Sequence, residues 1–246
     1  MDRLRELNAG KRDPHLVGRW CIDQSLTDYS GRGRTASKVG SPFITQSSRG
    51  YAMDFNGTSD YLTLAKPYFT MPFSVSMWVY CRNTTDVHQV FGIGLTTNAS
   101  PLFVVQFRGD LPGDPIQAQM RGANAAVNTA ASYTGYTVNQ WHHVVAVFRS
   151  ASYRQIYVDG KAGTSETTTF ATFTMNTMTI GTLVRTTPGL YADALISDVR
   201  LYSRDVGSEA SYLYEQTREP FTPRRRVYFV PAAAVGNRRR RLLIGS

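Results

Sequence analysis

The chain has 246 residues, which is enough for one large all-β domain or two small domains. Hydrophobic residues make up 42% of it and aromatic residues 12%, a composition that favours half-buried strands around a sizeable core. The net charge is +9, but residues 222–246 contain seven arginines and no acid, which leaves +2 for the other 221 residues. The basicity therefore belongs to a tail and does not indicate a nucleic-acid-binding body.

The predicted elements begin with a polar N-terminal arm over residues 1–14, which Pro14 ends. Residues 15–205 then contain about a dozen short apolar or alternating runs separated by turn signals, the pattern of an antiparallel sandwich. The predicted strands cover residues 16–22, 51–55, 61–64, 73–81, 87–93, 102–107, 116–120, 141–148, 155–158, 178–180, 190–194 and 196–202. A short helix is predicted at 207–217 within a linker region at 206–220, and residues 221–246 form an arginine-rich C-terminal arm.

Several classes of protein are excluded by what the sequence lacks. Two cysteines, Cys21 and Cys81, are too few for a disulfide framework or a structural zinc site. No apolar run approaches the roughly 18 residues of a membrane-spanning helix, so no membrane insertion is expected. Residues 1–13 are charged and lack the apolar centre of a signal peptide, so we expect synthesis in the cytoplasm without one.

Six ordered segments of the chain carry a recognisable pattern: Leu16–Asp23 with the turn Asp28–Gly33, Tyr51–Leu62, Phe73–Val79, Asn139–Phe148, Ile156–Lys161 and Ala192–Arg204. Together they resemble, in the same order, the segments of laminin-G-like domains in the concanavalin A-like lectin and glucanase family. The resemblance implies an all-β fold of two packed antiparallel sheets, a jelly-roll sandwich with one concave face. The short helix and the two terminal arms lie outside it.

The C-terminal arm resembles the ends of laminin-G-like proteins of tailed bacteriophages. That resemblance implies a structural protein of the virion, a decoration or accessory protein of the head or tail that is finally located in the particle. Its partners would be other virion proteins or copies of itself. The predicted contact residues are Arg224, Arg225, Arg226, Tyr228, Phe229, Arg238, Arg239, Arg240 and Arg241. Phosphate contact by these arginines and a solvated end are the alternatives, and we favour protein partners over nucleic acid.

A structural calcium ion is the one cofactor that the family resemblance implies. The matching residues are Asp28, the backbone of Gly31, and Asp198. The turn departs from the family pattern because Arg32 replaces an asparagine and Arg34 lies close by, and both would repel a dication. The alternative is that Asp28 makes an Asx turn and Asp198 pairs with an arginine.

An enzyme is not expected. Glycosidases of this fold place two carboxylates on the concave face, but the central strands 73–81, 102–107 and 141–148 contain no Asp or Glu. The pair His142-His143 is not expected to bind a metal, because adjacent strand residues point to opposite faces. One of these two histidines is predicted to be packed and the other exposed.

Carbohydrate binding remains as an alternative function, that of an adhesin recognising cell-surface glycans. It requires exposed aromatic side chains on a concave face or loop. The candidates are Trp78, Tyr80, Tyr133 and Tyr136. Trp78 also matches a core position of the family, so burial is the competing expectation for it.

Overall fold

The computed structural model describes residues 13–22, 25–64, 70–122, 130–171 and 174–218. Most of the predicted N-terminal arm and the whole arginine-rich arm at 221–246 lie outside these residues. The described strands are β1 (Leu16–Trp20), β2 (Ser37–Val39), β3 (Phe43–Ser47), β4 (Gly50–Asn56), β5 (Tyr61–Leu64), β6 (Phe73–Cys81), β7 (Val87–Leu95), β8 (Asn98–Arg108), β9 (Ile116–Arg121), β10 (Ala130–Tyr133), β11 (Trp141–Ser150), β12 (Tyr153–Val158), β13 (Lys161–Glu166), β14 (Thr177–Ile180) and β15 (Asp193–Tyr202). One 3-10 turn (Gly207–Glu209) leads into helix α1 (Ala210–Thr217).

The strands form two antiparallel sheets, which confirms the predicted all-β jelly-roll sandwich with a short C-terminal helix. The first sheet runs in the order β13-β12-β11-β6-β15-β4-β3, and β1 pairs with β15 beyond the end of β4. The second sheet runs in the order β10-β9-β8-β7-β14-β5-β2. The strands β2, β3, β10 and β13 were not predicted, and each lies at the edge of a sheet.

Strict alternation in β6 places one row of side chains in the core between the sheets. Phe73, Val75, Met77, Val79 and Cys81 all belong to the main buried cluster. The ring of Phe73 stacks on Phe148 of β11, with centroids 4.8 Å apart, and meets Phe103 of β8 edge-on at 5.1 Å. These contacts join the two sheets through large apolar surfaces, the main favourable term in folding.

Helix α1 buries the outer face of β6 as well. Ala210 and Leu213 of α1 pack on Val145 and Val147 of β11 in a separate buried cluster. At the end of α1, the indole Nε1 of Trp78 donates a hydrogen bond to Thr217 Oγ1 at 2.8 Å.

The side chain of Arg49 closes this helix–sheet contact. Its guanidinium carbon lies 3.4 Å from the ring centroid of Trp78. The N–H groups of the same guanidinium also donate hydrogen bonds to the carbonyl oxygens of Thr217 and Arg218, at the end of the helix. Arg49 thereby fixes the C-terminus of the helix on the sheet. Its guanidinium donates to carbonyl oxygens that have no partner within the helix, and its positive charge offsets the partial negative charge of the helix end. Within the described residues, no helix is long and apolar enough to cross a bilayer.

The segment between β14 and β15 folds back over the outer face of the second sheet. Leu183 packs there on Leu102 and Val104 of β8. It lies so close to β7 that a methyl group at Gly92 would come within 2.9 Å of the Cα of Leu183 and 3.0 Å of the carbonyl oxygen of Thr182. Glycine at this position therefore permits the close approach of two backbones.

We expect Gly92→Ala to lower the free energy of unfolding by about 1–3 kcal/mol, because the added methyl overpacks backbone that cannot move aside. Gly189→Ala is the matched control in the same segment. A methyl at Gly189 meets nothing within 4 Å, so its effect should stay within about 0.5 kcal/mol. Urea denaturation measures both, and equal effects would contradict the close approach described for Gly92.

Candidate functional site

Three loops at one end of the sandwich enclose an open pocket of about 360 Å³. They connect β4 to β5, β6 to β7 and β14 to β15. We call this space the end pocket, and it is defined by Thr58, Asn83, Asp86, His88, Tyr191 and Asp193 with their neighbours. Its size and its mixture of polar and apolar groups suit a small ligand.

A partly buried arginine holds the base of the end pocket together. The guanidinium of Arg82 pairs with Asp193 at 2.8 Å and with Asp54, and it donates to the carbonyl oxygen of Phe55 at 3.0 Å. Arg82 follows β6, while Asp54 lies on β4 and Asp193 begins β15. One side chain thus fixes three neighbouring strand ends, and geometry of this kind favours arginine over lysine.

The geometry around His88 fixes its tautomer. The backbone N–H of Asp193 donates to His88 Nδ1 at 3.2 Å, so that nitrogen carries no proton. Nε2 therefore carries the proton and donates to Asn83 Oδ1 at 3.0 Å. Burial lowers the pKa of His88 and outweighs the opposing effect of Asp193 and Asp86. The imidazole is consequently neutral at neutral pH, and it connects Asn83 on one side of the pocket to the backbone of Asp193 on the other.

The amide of Asn83 is oriented by the same network. Its Oδ1 accepts from the backbone N–H and the hydroxyl of Thr85, both at 3.1 Å, as well as from His88. Its Nδ2 donates to Asp193 Oδ2 at 3.1 Å. From beneath, the hydroxyl of Tyr136 donates to the carbonyl oxygen of Asn83 at 2.9 Å. The floor of the end pocket is therefore organised before any ligand arrives.

The mouth of the end pocket leaves several groups open to solvent. Asp86 and Thr58 are exposed. The Asp86 carboxylate lies 3.1 Å from the Thr85 hydroxyl, which shares its single proton between this carboxylate and Asn83 Oδ1. Leu190 is 44% exposed and has a φ of 55°, which is unfavourable for a bulky residue. Tyr191 beside it is half-buried. An aliphatic and an aromatic side chain thus stand next to a free carboxylate and a hydroxyl.

The structure does not bring together the four aromatic residues predicted to bind glycans. Trp78 is 3% exposed, under helix α1 and Arg49, and Tyr136 is 4% exposed, in the core. Tyr133 packs against the same core, and Tyr80 is half-buried beside Trp141. The prediction that Trp78 and Tyr136 offer exposed rings for stacking on a sugar was therefore wrong, because both side chains are packed in the interior. Tyr136 still contributes to the end pocket, through its hydrogen bond to Asn83.

The residues predicted to bind calcium have other partners. The carboxylate of Asp28 accepts from the backbone N–H groups of Arg19, Ser30 and Arg34 and from the hydroxyl of Ser30, at 2.8–3.1 Å. This is the Asx-turn arrangement named as the alternative.

The other two residues predicted to bind calcium, Asp198 and Gly31, are not arranged around a cation either. Asp198 is buried and pairs with Arg19 at 3.1 Å and with Arg200 at 2.5 Å, while Gly31 is exposed with a φ of 80°. Two guanidinium groups on one carboxylate do not fit a dication. In the part of the chain that the structure describes, no three His, Cys, Asp or Glu side chains form a metal-binding group. Calcium at this position stays a prediction.

Both histidines of the His142-His143 pair are buried, so the prediction that one is exposed was wrong. His142 lies 2.9 Å from the carboxylate of Asp159, while His143 contacts the hydroxyl of Ser76 at 2.9 Å under helix α1. Burial lowers the pKa of His143 to about 3. The prediction missed this because it did not place a helix over the outer face of β11.

The predicted partner-binding residues of the arm, from Arg224 to Arg241, lie outside the described residues. The residues of the end pocket were also not predicted as a site. Three widely separated loops supply them, and the sequence signals at those positions, such as Asn56-Gly57, indicated turns and not a ligand.

Comparisons with known proteins give a family and a fold. A family model described as the concanavalin A-like lectin/glucanases superfamily, of the laminin G type, matches residues 56–210. A search of curated proteins finds no match. Among solved structures, domain 4 of an extracellular arabinanase from Geobacillus stearothermophilus, in complex with arabinotriose, is similar at 18% identity with a TM-score of 0.66. That alignment covers 81% of this chain and 98% of that domain.

Two toxin domains share the same fold. The receptor-binding domain of botulinum neurotoxin C/D mosaic serotype aligns at 15% identity with a TM-score of 0.65, covering 82% of this chain and 51% of that one. The binding domain of Paraclostridial Mosquitocidal Protein 1 aligns at 12% identity with a TM-score of 0.63, covering 82% and 52%. This chain therefore spans about half the length of those toxin domains.

The buried Asp198 predicts a specific pH dependence of stability. Burial alone would raise the pKa of Asp198, but Arg200 and Arg19 hold it well below its ordinary value. A depressed pKa contributes stability that is full above the unfolded value of about 3.9 and is lost gradually as the pH falls from that value through the lower folded pKa. We expect Asp198→Asn to cost about 3–5 kcal/mol at pH 7.

Urea denaturation at pH 7, 5 and 3.5 measures this effect. The difference between the parent protein and Asp198→Asn should be full at pH 7 and 5 and begin to shrink at pH 3.5. At that pH the unfolded chain takes up a proton on Asp198, while the folded carboxylate stays ionised in its ion pairs. Glu215→Gln, which removes an exposed carboxylate on α1, serves as the control and should change stability little at any pH. A constant difference across this range would contradict the assigned ion pairs.

Proposed function

The chain belongs to the concanavalin A-like lectin/glucanase superfamily, and on that premise we propose that it is a carbohydrate-binding domain whose ligand enters the end pocket. The observation that carries this proposal is the combination at the pocket mouth. Leu190 and Tyr191 offer an apolar wall, and Thr58, Asn83 and Asp86 line the same space with polar groups. A sugar ring has an apolar face of C–H groups and a rim of hydroxyls, which match such a wall and such polar groups.

Leu190 adds a second reason to place a ligand here. Its carbonyl oxygen accepts from the backbone N–H of Gln89 at 3.0 Å, which holds the residue in its strained conformation with an exposed side chain. Strained backbone that the surroundings enforce is typical of binding sites. The solved arabinanase domain is in complex with arabinotriose, and the botulinum domain is a receptor-binding domain, so other proteins use this fold for binding.

We propose binding without catalysis. A glycosidase needs a second carboxyl group that stays protonated near neutral pH, which requires burial away from cations. Of the two carboxylates in the end pocket, Asp86 is exposed to water and Asp193 pairs with Arg82 and Asn83. Neither environment favours a general acid.

Tyr191→Ala should weaken binding of the best glycan at least tenfold, about 1.4 kcal/mol, because the apolar wall of the end pocket loses its ring. A glycan array first identifies that ligand, and calorimetric titration then compares the variants. Tyr29→Ala is the matched control, since Tyr29 is an exposed tyrosine of the turn after β1, far from the end pocket in sequence. Equal affinities for Tyr191→Ala and the parent protein would exclude the end pocket as the glycan site.

A role in a bacteriophage particle is the second candidate, and the placement of charge supports it. The arm at 222–246 carries +7, while the body is nearly neutral. The chain leading into the arm is anchored, because Arg49 and Trp78 hold the end of helix α1 on the first sheet. We propose that the sandwich is a rigid block in the particle, and that the arm binds acidic surfaces of other virion proteins or of copies of itself.

Deleting residues 222–246 should abolish incorporation into the particle, as measured by the amount of protein that co-sediments with purified particles. Tyr191→Ala should be incorporated normally, because the end pocket is not part of that contact. Normal incorporation of the truncated protein would contradict the arm as the docking element. Loss of incorporation on nuclease treatment would favour nucleic acid as its partner.

A further inference from the structure

The end pocket is negatively charged although the whole chain is basic. Asp54 and Asp193 share the single guanidinium of Arg82, which leaves one negative charge in that group. Asp86 adds a second charge, which is exposed and has no cationic partner among the described residues. His88 is neutral, as its two hydrogen bonds require. The described lining therefore carries two negative charges in excess.

Arg108, on the neighbouring strand β8, does not cancel this excess. Arg108 lies opposite Val87, the first residue of β7. It is held in a bidentate pair by Asp110, with two hydrogen bonds of 2.7 Å. The pair is neutral as a unit, so a ligand in the end pocket faces carboxylates without a compensating arginine or lysine among the described lining residues.

We propose that the end pocket selects neutral or amine-bearing sugar units and excludes units that carry a carboxylate, sulfate or phosphate. This inference rests on the proposed function and adds the chemical class of its ligand. It runs against the net charge of +9, from which an acidic glycan would be expected. The two observations are compatible because +7 of the net charge lies in residues 222–246, whereas the described lining of the end pocket is acidic.

The physical basis is the difference between a hydroxyl and an anion as a partner for Asp86. A carboxylate only accepts hydrogen bonds, so it is satisfied by sugar hydroxyls or an ammonium group. An anionic sugar offers no donor at that position and adds like-charge repulsion, which water and salt screen only in part at a half-enclosed site. We expect at least a tenfold preference for the neutral member of a matched pair.

The experiment uses the full chain and pairs of methyl glycosides that differ only at C6, such as methyl galactoside and methyl galacturonide, together with methyl glucosaminide. Binding is followed by NMR through the ring signals of His88 and Tyr191. These signals report on the end pocket, so an anion that binds the arginine-rich arm is not mistaken for a pocket ligand. The parent protein is compared with Asp86→Asn, and Glu215→Gln is the control for loss of a distant exposed carboxylate.

The expected result is that the neutral glycoside binds at least tenfold more tightly than its uronide. Asp86→Asn should reduce that ratio to about threefold or less, and Glu215→Gln should leave it unchanged. Equal binding of both members in the parent protein, or tighter binding of the uronide, would overturn this inference and leave the proposed function intact. If no glycoside of a broad neutral panel shifts the His88 and Tyr191 signals, both proposals are overturned.

Discussion

The fold places β6 at the centre of the first sheet and buries it on both faces. Its inner face contributes to the core between the sheets, and its outer face lies under helix α1 with Trp78 bound to Thr217. Apart from the half-buried Tyr80, β6 therefore presents no side chain to a ligand. The outer face of β7 is likewise covered by the segment around Leu183. The end of the sandwich, where loops leave these strands, remains available for polar groups and carries the end pocket.

The same central strands that form the core also organise that pocket. Arg82 extends from the end of β6 and joins it to Asp54 of β4 and Asp193 of β15. The pairing of β6 with β15 and of β15 with β4 sets the distances between these groups. Because the frame is formed by folding itself, little conformational entropy remains to be lost when a ligand binds. Rigid strands with short polar loops are a common way to achieve this.

The sequence was informative where side chains alternate strongly and uninformative where they do not. The core strands β6, β8 and β11 were predicted because a buried face imposes a period of two. The four missed strands, β2, β3, β10 and β13, are edges that bury little and carry mostly polar or small residues, so no such period is imposed. The family resemblance was confirmed by the match at 56–210.

The candidate site could not be predicted in the same way. Its groups come from loops far apart in the sequence, and their convergence depends on strand order, which periodicity does not encode. The left-handed backbone of Leu190 gave no local signal either, since leucine rarely adopts it. For Trp78 the sequence left both exposure and burial open, and the docking of α1 buries it. Local pattern determines which face a residue occupies, while tertiary packing decides whether that face is exposed.

The central claim is that a carbohydrate occupies the end pocket. A crystal structure of the full chain grown with a neutral oligosaccharide, chosen as the strongest binder in a glycan array, tests it most directly. The account predicts a sugar ring packed against Leu190 and Tyr191, with hydroxyls within hydrogen-bond distance of Asp86 and Asn83. A sugar bound with full occupancy on the outer face of either sheet, with the end pocket holding only water, would contradict it.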